Sequence, residues 1–220
     1  MGQKVNPFGF RLGTIYTWRS RWFADKASYA KQVLEDVKLR RFLMEKLKLA
    51  GITKVEIERS INSIRIILNV SRPGVVIGRG GSALDQLKKE IMRLLSINPN
   101  DPKSPKLIID DIVEVKNPEL QARLVAQRIA EQLEKRYPHR RAVSQAQDRV
   151  MSSGAKGVKI LLSGRIGGAE IGRREKYARG SIPSQTLRAD IDYAQVPALT
   201  KSGYVGIKVW IYRGEMQTIE

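Results

Sequence analysis

Apolar residues recur along this chain at two spacings, one helical and one extended. From about Ala27 to Ala50, Tyr29, Val33, Val37, Met44 and Leu47 follow the helical period with Lys and Glu between them, and Gly51 is a natural stop. Val55 and Ile57 then alternate with Lys54, Glu56 and Glu58, as in a half-buried strand. Asn62-Ser63 predict a turn, and Ile64, Ile66, Leu68 and Val70 a second strand. After a glycine-rich turn, Leu84, Leu87, Ile91 and Leu94 share one helix face, with Ser82 and Asp85 spaced for a capping box. Residues 96–105, rich in Pro and Asn, read as a loop, and Leu107 to Val115 as a third strand. The order is helix, strand, strand, glycine turn, helix, strand.

Pro118 can open a new helix, with Leu120, Leu124, Ile129 and Leu133 as its apolar face up to about Arg136. Pro138 interrupts, and a second helix is expected from His139 to Ser152, ended by Gly154. Val158, Ile160 and Leu162 predict a strand, residues 164–180 are rich in Gly and Arg, and 187–196 and 204–213 predict further strands. A domain boundary falls near Asn117-Pro118. Residues 1–24 hold Lys4, Arg11, Arg19 and Arg21 and no acid, and Gly2, Pro7, Gly9 and Gly13 break any period. They predict an extended basic arm carrying Phe8, Phe10, Tyr16, Trp18 and Trp22. Such rings stack on bases or anchor the arm to its own domain, and for Trp18 and Trp22 both readings stay open.

Charge narrows the function. Among 220 residues, 40 Lys and Arg face 22 Asp and Glu, a formal net of +18. Residues 1–100 carry +11 of it and residues 101–220 carry +7. A surplus this large points to a polyanion, nucleic acid first and anionic membrane second; its spread argues against a single basic tether. The absence of Cys and the single His139 exclude a disulfide scaffold and a zinc site built on Cys and His. No stretch approaches the ~20 apolar residues of a membrane span, and no signal-peptide core opens the chain. Met1-Gly2 lacks the Ser or Thr that myristoylation needs, because position six is Asn6.

Gly78-Arg79-Gly80-Gly81 fits the G-x-x-G loop of a KH module, in which bare backbone approaches sugar-phosphate and a helix start favours an anion. Two other readings remain open at this point. Gly78, Gly80 and Ala83 also satisfy the dinucleotide fingerprint, with Val75-Val76-Ile77 as a preceding strand and Asp101 at about the right distance. A purely structural helix turn is the third. Asp190 and Asp192 share a strand face, as a metal pair would, or pair with arginines of the same domain. No Walker motif supports a nucleotide-driven helicase. His139 lacks a nucleophile partner and reads as a minor RNA contact or a packed side chain.

Several blocks together resemble the bacterial family of ribosomal protein three of the small subunit. They are Gly2-Gln3-Lys4-Val5-Asn6-Pro7, Arg11-Leu12-Gly13, Ile57-Glu58-Arg59, Arg72-Pro73-Gly74-Val75-Val76-Ile77-Gly78 and Asn117-Pro118-Glu119-Leu120. Further blocks run from Ser163 to Ile171, from Thr186 to Tyr193 and from Gly206 to Ile211. The likeness spans about residues 1 to 215. It implies an α+β protein: a basic arm (1–24), a type II KH domain (25–117), a second α/β-sandwich domain of helices on a mixed, mostly antiparallel sheet (118–215), and a short tail (216–220). It also implies a non-enzymatic, cytoplasmic constituent of the small ribosomal subunit that binds its ribosomal RNA in the head. The family lines the channel through which messenger RNA enters and helps unwind structured message without hydrolysing nucleotide. Its implied protein neighbours are small-subunit proteins ten and fourteen in the head and four and five near that channel.

The expected RNA contacts fall in three groups. The KH loop offers Gly78, Arg79, Gly80 and Gly81. Ribosomal RNA is expected against Lys4, Arg11, Arg19 and Arg21 of the arm and against Arg165, Arg173, Arg174, Lys176, Arg179 and Arg188, each of which could instead pair with an acid such as Glu170 or Glu175. Arg136, Arg140 and Arg141 match the family's message-channel cluster, although Ser144 and Gln145 stand where the family usually has cations. On a helix the neighbouring Arg140 and Arg141 splay apart toward different phosphates, or the face pairs with Glu131 or Glu134. Neither a cofactor nor a metal is expected. The alternatives are a free-standing KH-domain RNA-binding protein and a dinucleotide-dependent enzyme.

Overall fold

The computed structural model describes residues 4–97 and 105–216; most of the expected 96–105 loop lies outside the described residues. In chain order the elements are α1 (Pro7–Phe10), β1 (Ser20–Arg21), α2 (Lys26–Lys46), β2 (Ile52–Arg59), β3 (Ser63–Val70), α3 (Pro73–Ile77), α4 (Ser82–Leu94) and β4 (Lys106–Glu114). Then come α5 (Ala122–Glu134), α6 (His139–Ser152), β5 (Gly157–Gly164), β6 (Arg173–Gly180), β7 (Ala189–Thr200) and β8 (Gly203–Glu215). The chain separates into two compact units. Residues 18–116 form one, and residues up to Thr17 join those from Asn117 onward in the other.

In the first unit a four-stranded sheet runs β1-β2-β3-β4, with β2 and β3 antiparallel and both outer pairs parallel. Strand alternation sends Val55, Ile57, Ile64, Ile66 and Leu68 to one buried face. Leu39 and Leu43 of α2, Val76 of α3, and Leu87 and Ile91 of α4 complete that core. Gly51, with φ at 69°, turns the chain from α2 into β2. The helical face expected for α2 is rotated in the fold: Tyr29 and Val37 are exposed, whereas Asp36 is buried beside Leu39 and Leu43. Asp36 is held there by Arg59, whose Nε and Nη2 lie 2.9 and 2.6 Å from its Oδ1, and by the Trp22 indole N–H at 2.9 Å. A buried carboxylate is tolerated because it is paired and hydrogen-bonded.

In the second unit the sheet runs β6-β5-β8-β7 and every strand pairing among the described residues is antiparallel, where a mixed sheet is expected. Its inner face carries Val158, Ile160, Leu162, Ile207, Val209 and Ile211, packed on Val125 and Ile129 of α5 and Val143 and Val150 of α6. Strand β6 falls in the Gly-Arg segment, where sequence alone predicts no strand; it is an edge strand whose residues are mostly exposed.

The segment 1–24 is not the extended arm that composition suggests. Among its described residues, α1 and the turn after it pack with the second unit, while Ser20 and Arg21 add an edge strand to the first. The cause is Arg11, which is fully buried. Its guanidinium donates to the carbonyls of Pro7 at 3.1 Å, Pro183 at 3.3 Å, Ser184 at 3.1 Å and Thr186 at 2.9 Å. This corrects the expectation that Arg11 faces ribosomal RNA: its Nη1 and Nη2 groups are buried and spent on backbone. Tyr16 adds a second tie, donating a short hydrogen bond to Asp190; burial and then that bond raise the phenol's pKa. Phe8 stacks on Tyr16 with ring centroids 5.0 Å apart.

Leaving a buried acceptor unpaired costs about 1–3 kcal/mol. Arg11→Ala should therefore destabilise the second unit by roughly 3–5 kcal/mol and expose the first 17 residues to protease. Arg11→Lys should rescue little, because an ammonium cannot fork to the four carbonyls. Urea unfolding with limited proteolysis checks both; a loss under ~1 kcal/mol would refute the tie.

Candidate nucleic-acid interface

Gly78, Arg79, Gly80 and Gly81 form the turn between α3 and α4. The three glycines have φ of 72°, 61° and 82°, a region that side chains resist. Two causes separate them. A Cβ on Gly78 would sit 2.6 Å from Ala83 Cβ, so packing excludes it. At Gly80 and Gly81 a Cβ would meet nothing within 4 Å, so these glycines bare their backbone on an open side. Arg79 is exposed there, and Val75 and Ile77 are exposed beside it while Val76 anchors the turn in the core.

Two expectations fail at this loop. Residues 75–77 are the end of helix α3, not a strand, so the strand-turn-helix geometry of a dinucleotide site is absent. The capping box does not form: Gly81 occupies the cap, and the Ser82 hydroxyl donates back to the Arg79 carbonyl at 2.9 Å. The first N–H groups of α4 thus have no side-chain cap.

The α5–α6 turn gathers the second group. Arg136 has φ of 60°, a left-handed position that glycine usually fills after a helix. Tyr137 N–H reaches the Gln132 carbonyl at 2.9 Å and Arg136 N–H the Leu133 carbonyl at 3.0 Å, closing α5. Arg136 and Arg165 line one cleft of about 380 Å³ with Tyr137, Lys201 and Thr200. Arg140 and Arg141 are both exposed in the first turn of α6. Glu134 does not pair with them; its Oε1 accepts the Leu199 N–H at 3.3 Å.

Arg140 instead borders a cluster on β6. Tyr177 donates to Glu175 Oε2 at 2.5 Å, Arg173 Nε lies 2.6 Å from Glu175 Oε1, and His139 Nε2 lies 3.1 Å from Oε2. The Tyr177 hydrogen bond, aided by the charges of His139 and Arg173, holds the Glu175 carboxyl below its usual pKa against the opposing effect of burial. Burial, followed by the Glu175 contact, raises the Tyr177 phenol. His139 is therefore a packed side chain.

The residues expected on ribosomal RNA divide by partner. Arg21 lies 2.6 Å from Glu56 and 3.2 Å from Glu58. Arg179 pairs with Asp148, and Arg188 lies 3.2 Å from Glu215. Arg165 Nε donates to the Ala169 carbonyl at 2.9 Å. Arg19 is half-buried, and its carbonyl accepts from Arg40 at 3.1 Å. Lys4, Arg174 and Lys176 are exposed with no carboxylate partner among the described residues. Of the aromatic rings, Trp22 is an anchor through Asp36, whereas Trp18 is 68% exposed. Asp190 and Asp192 both turn to Arg213, at 3.6 and 2.9 Å, which explains their pairing without a metal.

A helix-backed sheet with this glycine loop defines the first unit as a KH module. Residues 38–120 match the KH domain family, and residues 129–211 match the family described as ribosomal protein S3, C-terminal domain. The chain is 51% identical over 216 residues, 98% of its length and 94% of the relative's, to small ribosomal subunit protein uS3 of Caldicellulosiruptor bescii. It is 48% identical to that of Pelotomaculum thermopropionicum, covering 98% of this chain and 90% of the relative. The protein of the same name from Desulfosudis oleivorans is 51% identical, with 98% and 96% covered. The chain belongs to the ribosomal protein S3 family.

Two outcomes follow. Gly78→Ala should cost about 3 kcal/mol, since its φ and ψ of 72° and −179° lie in a glycine-only region and Ala83 blocks the new methyl. Gly80→Ala should cost only ~1 kcal/mol; equal losses in urea unfolding would refute the distinction. Glu175→Gln should lose about 1–2 kcal/mol at pH 7. The carboxyl's folded pKa is depressed, so its stabilisation is present above the unfolded value and vanishes as pH falls through the folded one. Wild type and Glu175→Gln should therefore converge in stability as the pH is lowered below the usual carboxylate range.

Proposed function

We propose that the chain is a structural, RNA-binding constituent of the small ribosomal subunit in the cytoplasm. It holds small-subunit ribosomal RNA in the head and lends Arg136, Arg140 and Arg141 to the mouth of the messenger RNA channel. The observation that carries this reading is the pair Arg140 and Arg141, both exposed on one helix start and free of Glu131 and Glu134, within a chain about half identical to uS3 proteins along nearly its whole length. Its relatives carry the name of a small ribosomal subunit protein, which supports a structural rather than an enzymatic role.

Exposed guanidinium groups that touch successive phosphates supply affinity without reading bases, which suits a track for every message. Cations that hold single strands shift a hairpin toward its opened form by mass action. The bare loop at Gly80 and Gly81, with Arg79 beside it, suits the approach of a sugar-phosphate strand. Ribosomal proteins ten and fourteen are the proposed neighbours in the head, and four and five those near the channel.

The test is reconstitution of small subunits with Arg140→Ala/Arg141→Ala. Elongation through a stable message hairpin should slow several-fold, while an unstructured message is translated at the wild-type rate. Equal passage through the hairpin would overturn the channel role, and failure of the wild-type chain to co-sediment with salt-washed small subunits would overturn the ribosomal one.

A further inference from the structure

The second sheet has two unlike faces. The inner one is the core against α5 and α6. Register places Lys159, Leu161 and Ser163 of β5 on the other face, beside Arg174, Lys176 and Ala178 of β6 and Gly206, Lys208 and Trp210 of β8. Strand β7 adds Tyr193, Gln195 and Pro197 in line with them. Among the described residues, this central part of the face holds no Asp or Glu. At one end, Ile182 packs with Ile191, Tyr212 and Trp210 in a small separate cluster. The remainder stays open.

The cations on this face are crowded and lack acids. Lys4, brought in by the docked N-terminal segment, and Lys176 both lie close enough to Lys159 to lower its pKa, adding to the larger effect of burial. Lys176 and Lys208 share one row, two strands and so about 10 Å apart. Lys159 sits one row along, its ammonium 4.6 Å from the Trp210 ring centre, and Tyr193 packs on that ring at 5.1 Å. Elsewhere in the same unit, several cations do have carboxylate partners: Arg128 with Glu119, Arg173 with Glu175, Arg179 with Asp148 and Arg213 with Asp192. Like charges gathered without counter-charge destabilise a free protein and are relieved by a bound polyanion.

We propose that this open sheet face seats an RNA strand, with Lys4, Lys159, Arg174, Lys176 and Lys208 on its phosphates and Tyr193 and the exposed Tyr204 against its bases. Contacts to phosphates and to the flat faces of bases carry no sequence information, so the seat is sequence-tolerant. The inference deepens the ribosomal RNA reading above and rests on it, and it adds Lys159 and Lys208 to the residues expected there.

The experiment uses the full chain and a 20-nucleotide unstructured RNA, with affinity followed by fluorescence anisotropy from about 50 to 200 mM salt. Lys159→Gln/Lys176→Gln/Lys208→Gln should flatten the slope of log affinity against log salt by about 2 and weaken binding at least tenfold at ~0.1 M salt. The charge-matched control Lys26→Gln/Lys31→Gln/Lys38→Gln, on exposed positions of α2, should change the slope by less than half as much. Equal effects of the two triples would overturn the seat while leaving RNA binding intact. A wild-type chain that shows no salt-dependent binding would overturn the underlying reading itself. In assembled subunits, a photoreactive benzophenone side chain replacing Gln195 should cross-link to RNA; cross-links to protein alone would assign the face to a protein neighbour and refute the proposal.

Discussion

One buried guanidinium organises the second unit. Arg11 sits with no exposed surface and its Nη1 and Nη2 groups donate to four carbonyls, three of them more than 170 residues away in sequence. Burying a cation is costly, and burial lowers its pKa, yet the fork geometry matches the converging carbonyls and offsets that cost. The consequence is positional. With Arg11 seated, Tyr16 reaches Asp190 and Lys4 arrives beside Lys159. A stretch whose composition suits a loose basic tail becomes part of a folded wall.

The remaining charges sort by whether an acid is within reach. Asp36 gathers Arg59 and Trp22 inside the KH unit, and Asp190 and Asp192 hold Arg213 inside the other. These groups build the protein. Arg79, Arg140, Arg141, Arg174 and Lys176 are exposed instead, and the net surplus of +18 guarantees that many cations must be left in this state. A polyanionic partner is thus written into the balance of the chain, while the acids decide which cations it can reach.

Strand alternation made β2, β3, β5 and β8 legible, because one face of each sheet is apolar and the other polar. The edge strand β6 was hidden: only Tyr177 among Arg173–Gly180 packs against the core, so no period of two emerges. The apolar period of α2 does not reveal its buried face, because that stripe contains Asp36, and a carboxylate in a core is not evident without its partner Arg59. The buried role of Arg11 is hidden in the sequence for the same reason, since three of its carbonyl partners come from a distant loop. Lys159 and Lys208 each look like the polar half of an ordinary strand. Only the pairing of β5 with β6 and β8 puts them on one surface with Arg174 and Lys176. The glycine loop and the paired arginines were visible because both are local in sequence.

The long reach from Arg11 to Thr186 bears on how the molecule is made. Arg11 leaves the peptidyl transferase centre 175 residues ahead of its last carbonyl partner. At about 5–20 residues per second, it waits roughly 10–35 s, long enough for the intervening KH unit to be completed first. Closing so large a loop is entropically costly and comes late. Any fusion partner joined ahead of Pro7 therefore competes with the final step of maturation, and purification tags are better placed at the opposite terminus.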